Sequence, residues 1–209
     1  MFQEINEWLL HRCGKFTSSE IHKLIPNGRA KGDQFSQTGK TYIKQKVAEY
    51  ITKEPIQKPT TYAMEWGTSH ENEALIEFEK QYGEVEKYGG GNPVFLEGGK
   101  FWGGTPDAMF QDAVIEVKCP FNSTEHLEHL LFKSVEEFKD YVPEYYWQMV
   151  SNMLLANKEV GIFVSYDPRF PDEFRLKVLK FKLIQEDADL LIKKIQWASA
   201  EMEGILGRI

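Results

Sequence analysis

Residues 103–121, GGTPDAMFQDAVIEVKCPF, constrain this chain more than any other stretch. Two short apolar runs flank Gln111 and Asp112, which reads as a hairpin turning on those two residues. That register pairs Phe110 with Ala113 and sets Asp107 opposite Glu116. Side chains alternate along a strand, so Glu116 and Lys118 share one face and Ile115 and Val117 the other. Carboxylates directly opposed across a strand pair repel. Lys118 offsets part of that repulsion. A divalent cation offsets more, because carboxylate oxygens are the hard ligands that Mg²⁺ takes. Two acids and a lysine around a cation suit hydrolysis of a phosphodiester.

The rest of the composition suits such a site. A chain of 209 residues with 42% hydrophobic and 27% charged residues is expected to form a single domain, 1–209, around a sizeable core. No apolar run spans a bilayer, and MFQEINEWLLHRCG lacks the pattern of a signal peptide, so no membrane and a cytoplasmic setting are expected. Cys13 and Cys119 have neither metal nor redox spacing, and the histidines show no zinc spacing. Cys119 reads as a packed thiol. The net charge of −7 argues against a broad nucleic-acid coat, but residues 11–50 carry eight cations against three acids and can grip a phosphate backbone locally.

Periodicity gives the elements. A helix is expected from Phe2 to about Arg12, and a short one from near Ser18, with Thr17 and Glu20 as a capping box. Residues 26–40 read as a mobile surface loop, 41–51 as a helix and 55–64 as a connector. The next helix is expected from Thr68 to Gly83, with Thr68 and Glu71 as a second capping box. Short strands broken by glycine follow over 92–120, then a short helix at 134–142. Pro143 suits the first turn of another helix. VGIFVSYD and FRLKVLKF read as strands before a closing helix at 185–205. The fold class is α/β, a central mixed sheet flanked by helices.

TPD at 105–107 followed by IEVK at 115–118 resembles the core of the PD-(D/E)xK nucleases, which have a restriction-endonuclease-like fold. TPDAMF…IEVKCPF more closely resembles the lambda-exonuclease, or YqaJ-like viral recombinase, family. WLLHRCGKFTSSE, EWGTSHENEALIEFE and YYWQMVSNMLLANKEVGIFVSYDPRF resemble that family's other blocks, in order along nearly the whole chain.

The resemblance implies roles. Asp107 and Glu116 are the central metal ligands, the carbonyl of Val117 adds a backbone oxygen, and Lys118 is the catalytic lysine. Glu71 completes the metal site or orients water. Gln148 orients the scissile phosphate or the water. Arg12, Ser19 and Thr105 match the residues that recognise a 5′-phosphate. Thr124 stands where an arginine completes that pocket in the family's founding member, unless His126 or a lysine from 26–46 substitutes. Glu97 lies where some relatives carry a further acid.

The expected activity is therefore a phage-type 5′-to-3′ exonuclease on double-stranded DNA ends, using two Mg²⁺ or Mn²⁺ ions. It would release mononucleotides and leave 3′ tails for a single-strand annealing protein. The resemblance also implies a homotrimeric ring. Two other readings stay open: a different PD-(D/E)xK enzyme such as an endonuclease, and an inactive DNA-end-binding module. A Cas4-like iron–sulfur site would need more cysteines than the chain has.

Overall fold

The computed structural model describes residues 2–56, 59–90 and 93–209; residues 57 and 58 of the expected connector, and 91 together with 92, the first residue of the expected strand region, lie outside them. The chain runs α1 (Phe2–Arg12), β1 (Phe16–Thr17), a 3-10 helix (Ser18–Leu24), α2 (Gln37–Thr52), α3 (Tyr62–Tyr82), β2 (Glu86–Lys87), β3 (Leu96–Gly99), β4 (Trp102–Gly104), β5 (Ala108–Phe110) and β6 (Ala113–Lys118). It continues with α4 (Ser123–Leu131), α5 (Val135–Tyr141), α6 (Pro143–Leu155), β7 (Val160–Tyr166), β8 (Leu176–Lys182) and α7 (Gln185–Leu206).

The main sheet has the order β2-β5-β6-β7-β8, with β6 and β7 parallel and its other neighbours antiparallel. A parallel pair cannot be closed by a tight turn. The α4–α6 segment provides the crossover. Both faces of β6 are covered. Val114 joins a core with Tyr146, Met149 and Phe163, whereas Ile115 and Val117 join one with Ala74, Leu75 and Phe78 of α3. A mixed sheet between helices is the architecture expected from the sequence.

The hairpin has the expected register. Phe110 pairs with Ala113 and Ala108 with Ile115, and Gln111 turns with a positive φ of 54°. The expected closing helix, the Pro143 helix and the end of α3 at Gly83 are also present.

Several expectations need correction. α3 starts six residues before Thr68: the Thr61 side chain caps it by accepting from Met64 N at 3.3 Å. Glu71 is therefore mid-helix, and Thr68 and Glu71 form no capping box. Gly67 does not break the helix, and a Cβ there would make only an ordinary contact, 3.8 Å from the Cys119 carbonyl oxygen. Ser18–Leu24 is a 3-10 helix, and Thr17 makes no side-chain cap.

The segment 26–40 is anchored rather than loose. Phe35 is buried, buried Lys194 donates to Asn27 Oδ1 at 2.7 Å and to the Gln34 carbonyl, and Ser36 caps α2, which begins at Gln37. The glycine-broken strands divide between two sheets, since β3 and β4 join β1 in a small sheet of their own. α4 was not anticipated.

Candidate active site

Glu116 is buried on β6, and its carboxylate collects three side chains. Lys118 Nζ donates to Oε1 at 2.6 Å, the Gln148 amide of α6 donates to the same oxygen, and Asn152, one helical turn on, donates to Oε2 at 3.1 Å. Residues four apart lie on one helix face, so α6 presents both amides to the strand. Asp107 precedes β5, and its Oδ2 accepts the Val117 N–H at 2.7 Å. Continuing the ladder past Ala108 and Ile115 sets Asp107 opposite Glu116, as the sequence predicts.

The charges bear on one another. Burial and then Asp107 push the Glu116 carboxyl up to about 8. Burial and then Asp107 push Glu71 up to about 7, with Lys118 opposing. Burial also raises Asp107, against Lys118 and the Val117 hydrogen bond. Burial would lower Lys118, but Glu116 and Asp107 outweigh it, so the ammonium stays charged.

These donors suit a divalent cation. They are hard oxygens whose ionisation is suppressed by burial and by one another, and a cation relieves both effects. Among the described residues no three His, Cys, Asp or Glu side chains already converge as a metal cage. Glu116 is engaged by Lys118, Gln148 and Asn152, and Asp107 by Val117. Asp107, Glu116 and Glu71 are the residues that would hold an ion.

Two of the three residues matched to a 5′-phosphate, Arg12 and Thr105, are linked through Trp8. Trp8 Nε1 donates to Thr105 Oγ1 at 3.3 Å, and the Arg12 guanidinium stacks over the Trp8 ring at 4.3 Å. Ser19 is exposed at the start of the 3-10 helix, with Oγ 3.5 Å from Thr17 Oγ1. Neighbouring Ser18 bonds Ser151 of α6 at 2.8 Å and packs so tightly on β4 that a Cβ at Gly104 would lie 2.0 Å from its Oγ.

His126 does not replace the missing arginine. It is buried, with Nδ1 on Ser165 Oγ and Nε2 donating to the Phe174 carbonyl, both at 2.8 Å. Four of the eight cations in 11–50 are paired: Lys15 with Glu97, Lys23 with Glu20, Lys40 with Asp33 and Lys46 with Glu49. Glu97 thus sits on the small sheet, held by Lys15, apart from the carboxylates of β5 and β6. Cys119 is a buried thiol pushed well up by burial, so it is no nucleophile.

Asn152 was missed. Its only signal is its place four residues after Gln148. Its Oδ1 is buried without a protein partner, and a Cβ at Gly104 would lie 2.7 Å from it.

A mixed sheet that brings Asp107, Glu116 and Lys118 together at its inner β5–β6 hairpin has the PD-(D/E)xK, restriction-endonuclease-like core. The chain matches the YqaJ-like viral recombinase domain over residues 7–159 and belongs to that family. Its fold is that of an alkaline exonuclease from Laribacter hongkongensis, LHK-Exo, solved alone and in complex with dAMP: 24% identity, TM-score 0.78, covering 97% of this chain and 94% of that one. A phage-related exonuclease from Haemophilus somnus 129PT is similar at 16% identity and TM-score 0.74, covering 93% of this chain and 96% of that one. No curated protein sequence matches the chain. No described helix is long and apolar enough to cross a membrane.

Proposed function

We propose that the chain is a metal-dependent exonuclease that degrades the 5′-ended strand of double-stranded DNA to mononucleotides. The observation that carries this reading is the buried Glu116 carboxylate, opposed to Asp107 and bonded by Lys118 and Gln148, in a chain of the YqaJ-like family. The family resemblance supplies the direction, the 3′-tailed product, the single-strand annealing partner and the homotrimeric ring.

Asp107, Glu116, Glu71 and the Val117 carbonyl would hold Mg²⁺ or Mn²⁺. Ions bound there would supply Lewis-acid polarisation of the phosphate and would make water easier to deprotonate at neutral pH. The protein groups do the rest. Lys118, kept charged by Glu116 and Asp107, offsets negative charge growing on the phosphate in the transition state. Its raised proton affinity favours this role over that of a base. The Gln148 amide donates from above Glu116 and can orient the phosphate or the attacking water. Arg12, Ser19 and Thr105 would hold the terminal 5′-phosphate, Arg12 through a fork that matches phosphate oxygens.

The test uses linear duplexes with 5′-phosphate or 5′-hydroxyl ends beside a closed circle. The proposal expects the linear forms to be degraded with Mg²⁺ and the circle to survive. Cutting of the circle would make the protein an endonuclease. Binding of ends without cleavage would leave an end-binding module.

A further inference from the structure

The mouth of the site carries an aromatic surface that this chemistry does not use. Phe121 lies three residues beyond Lys118, where the chain leaves β6, and turns to the α3 side of the sheet. Tyr62 meets its ring edge-on at 4.9 Å, and Trp66 does so at 5.8 Å. Arg169 locks the group. Its Nη2 donates to the Phe121 carbonyl at 2.8 Å and its guanidinium lies 4.5 Å over the Trp66 ring. Buried Asp167 grips Arg169 through Nε and Nη2, both at 2.7 Å.

Such fixing would normally accompany burial, yet Phe121 is 43% and Tyr62 65% exposed. Rigid aromatic faces left in water are what a base-stacking surface requires, because every base has a π-face and the rings lose little entropy on contact. The location selects the occupant. Trp66 stands five residues before Glu71 on α3, and Phe121 leaves the strand that carries Glu116 and Lys118. Ser18 and Ser151, beside the proposed 5′-phosphate residues, lie on the opposite, α6 side. A strand held by its terminal phosphate on that side, with a phosphate at Lys118, would bring its next base toward Phe121, three residues beyond Lys118.

We propose that the exposed rings of Phe121 and Tyr62, backed by Trp66, which is itself held between His70 and Arg169, form a stacking platform for an unpaired base of the strand being degraded. This rests on the nuclease reading above, and two measurements separate them. In the first, Lys118→Ala protein is irradiated with 5′-phosphorylated duplexes carrying 5-iododeoxyuridine at each near-terminal position in turn, since that base crosslinks to aromatic rings it stacks on. Crosslinks to Phe121 or Tyr62 from one position are expected. Crosslinks only to other residues, or none from bound DNA, would overturn the platform.

In the second, the Phe121→Leu/Tyr62→Leu double variant is assayed for cleavage. Its kcat/KM should fall about tenfold or more with an unchanged melting temperature, and Phe121→Trp should retain activity. Unchanged kcat/KM in the double variant, with wild type active, sinks the platform alone. A wild type that crosslinks but never cleaves sinks the nuclease reading, and the rings are then a base-stacking surface of an end-binding protein rather than of a nuclease.

Discussion

The Asn152 carboxamide donates to Glu116 Oε2 at 3.1 Å, bridging α6 and β6 within the core. It holds one carboxylate oxygen while Lys118 and Gln148 hold the other, so the carboxylate cannot rotate freely. Groups that orient a metal ligand in this way are worth about 10- to 100-fold in metal affinity. Asn152→Ala should weaken Mn²⁺ binding by that factor, measured by calorimetry on folded protein. Affinity equal to wild type would make Asn152 a packing residue only.

Metal binding should release protons. With Glu71 pushed up to about 7 and Glu116 to about 8, the metal-free site still carries protons at neutral pH. A raised carboxyl pKa means the charged form is gained only as pH rises through those values, so Mg²⁺ should bind more tightly from pH 6 to pH 9. Titration at pH 7 in buffers of different ionisation enthalpy should show between about one and two protons released per site, fading above pH 9. Proton release that does not change with pH would contradict this.

Acid should destabilise the fold through His129. Its imidazole is buried, its Nδ1 is 2.8 Å from Ser165 Oγ, and burial followed by His126 lowers it to about 4. Above its free value near 6.5 both folded and unfolded states are neutral. Between there and 4 the unfolded chain binds the proton first, so stability falls as pH falls across that window. The full loss is on the order of 3 kcal/mol. His129→Gln should lose correspondingly less than wild type between pH 7 and pH 4.5 in denaturant titrations.

Thr124 is exposed in the first turn of α4, its N–H on Asn122 Oδ1 at 3.1 Å. Thr124→Arg should raise the preference for 5′-phosphate over 5′-hydroxyl ends by about tenfold, the worth of one charge-assisted hydrogen bond. A small loss of helix stability should accompany it, since a cation opposes the dipole there. Relative kcat/KM on the two ends reads the effect.

The hairpin was legible because its alternation and its turn agree: Ala113, Ile115 and Val117 must face one core, and one register does that. Gln148 was legible only through family resemblance, since a glutamine on a helix carries no signal of its own. α4 was hidden because its inward residues are His126 and His129, polar by type but buried around Ser165, which no hydrophobic period reveals. The start of α3 was hidden because Thr61 and Thr68 are equally good caps in the sequence, and Gly67 between them reads as a break although the helix runs through it from the Thr61 cap. The division of the strands into two sheets depends on β1 meeting β4 across more than eighty residues, a pairing that no local pattern encodes.

The most direct test of the account follows the strand that Lys118 acts on. Linear duplex labelled on the 5′- or the 3′-ended strand is incubated with wild type or Lys118→Ala, in Mg²⁺ or in chelator. The account predicts Mg²⁺-dependent loss of the 5′-ended strand alone, as mononucleotides, and a Lys118→Ala rate lower by about 10²- to 10⁴-fold in a protein that still folds. Loss of the 3′-ended strand, cleavage in chelator, or an unimpaired Lys118→Ala would contradict it.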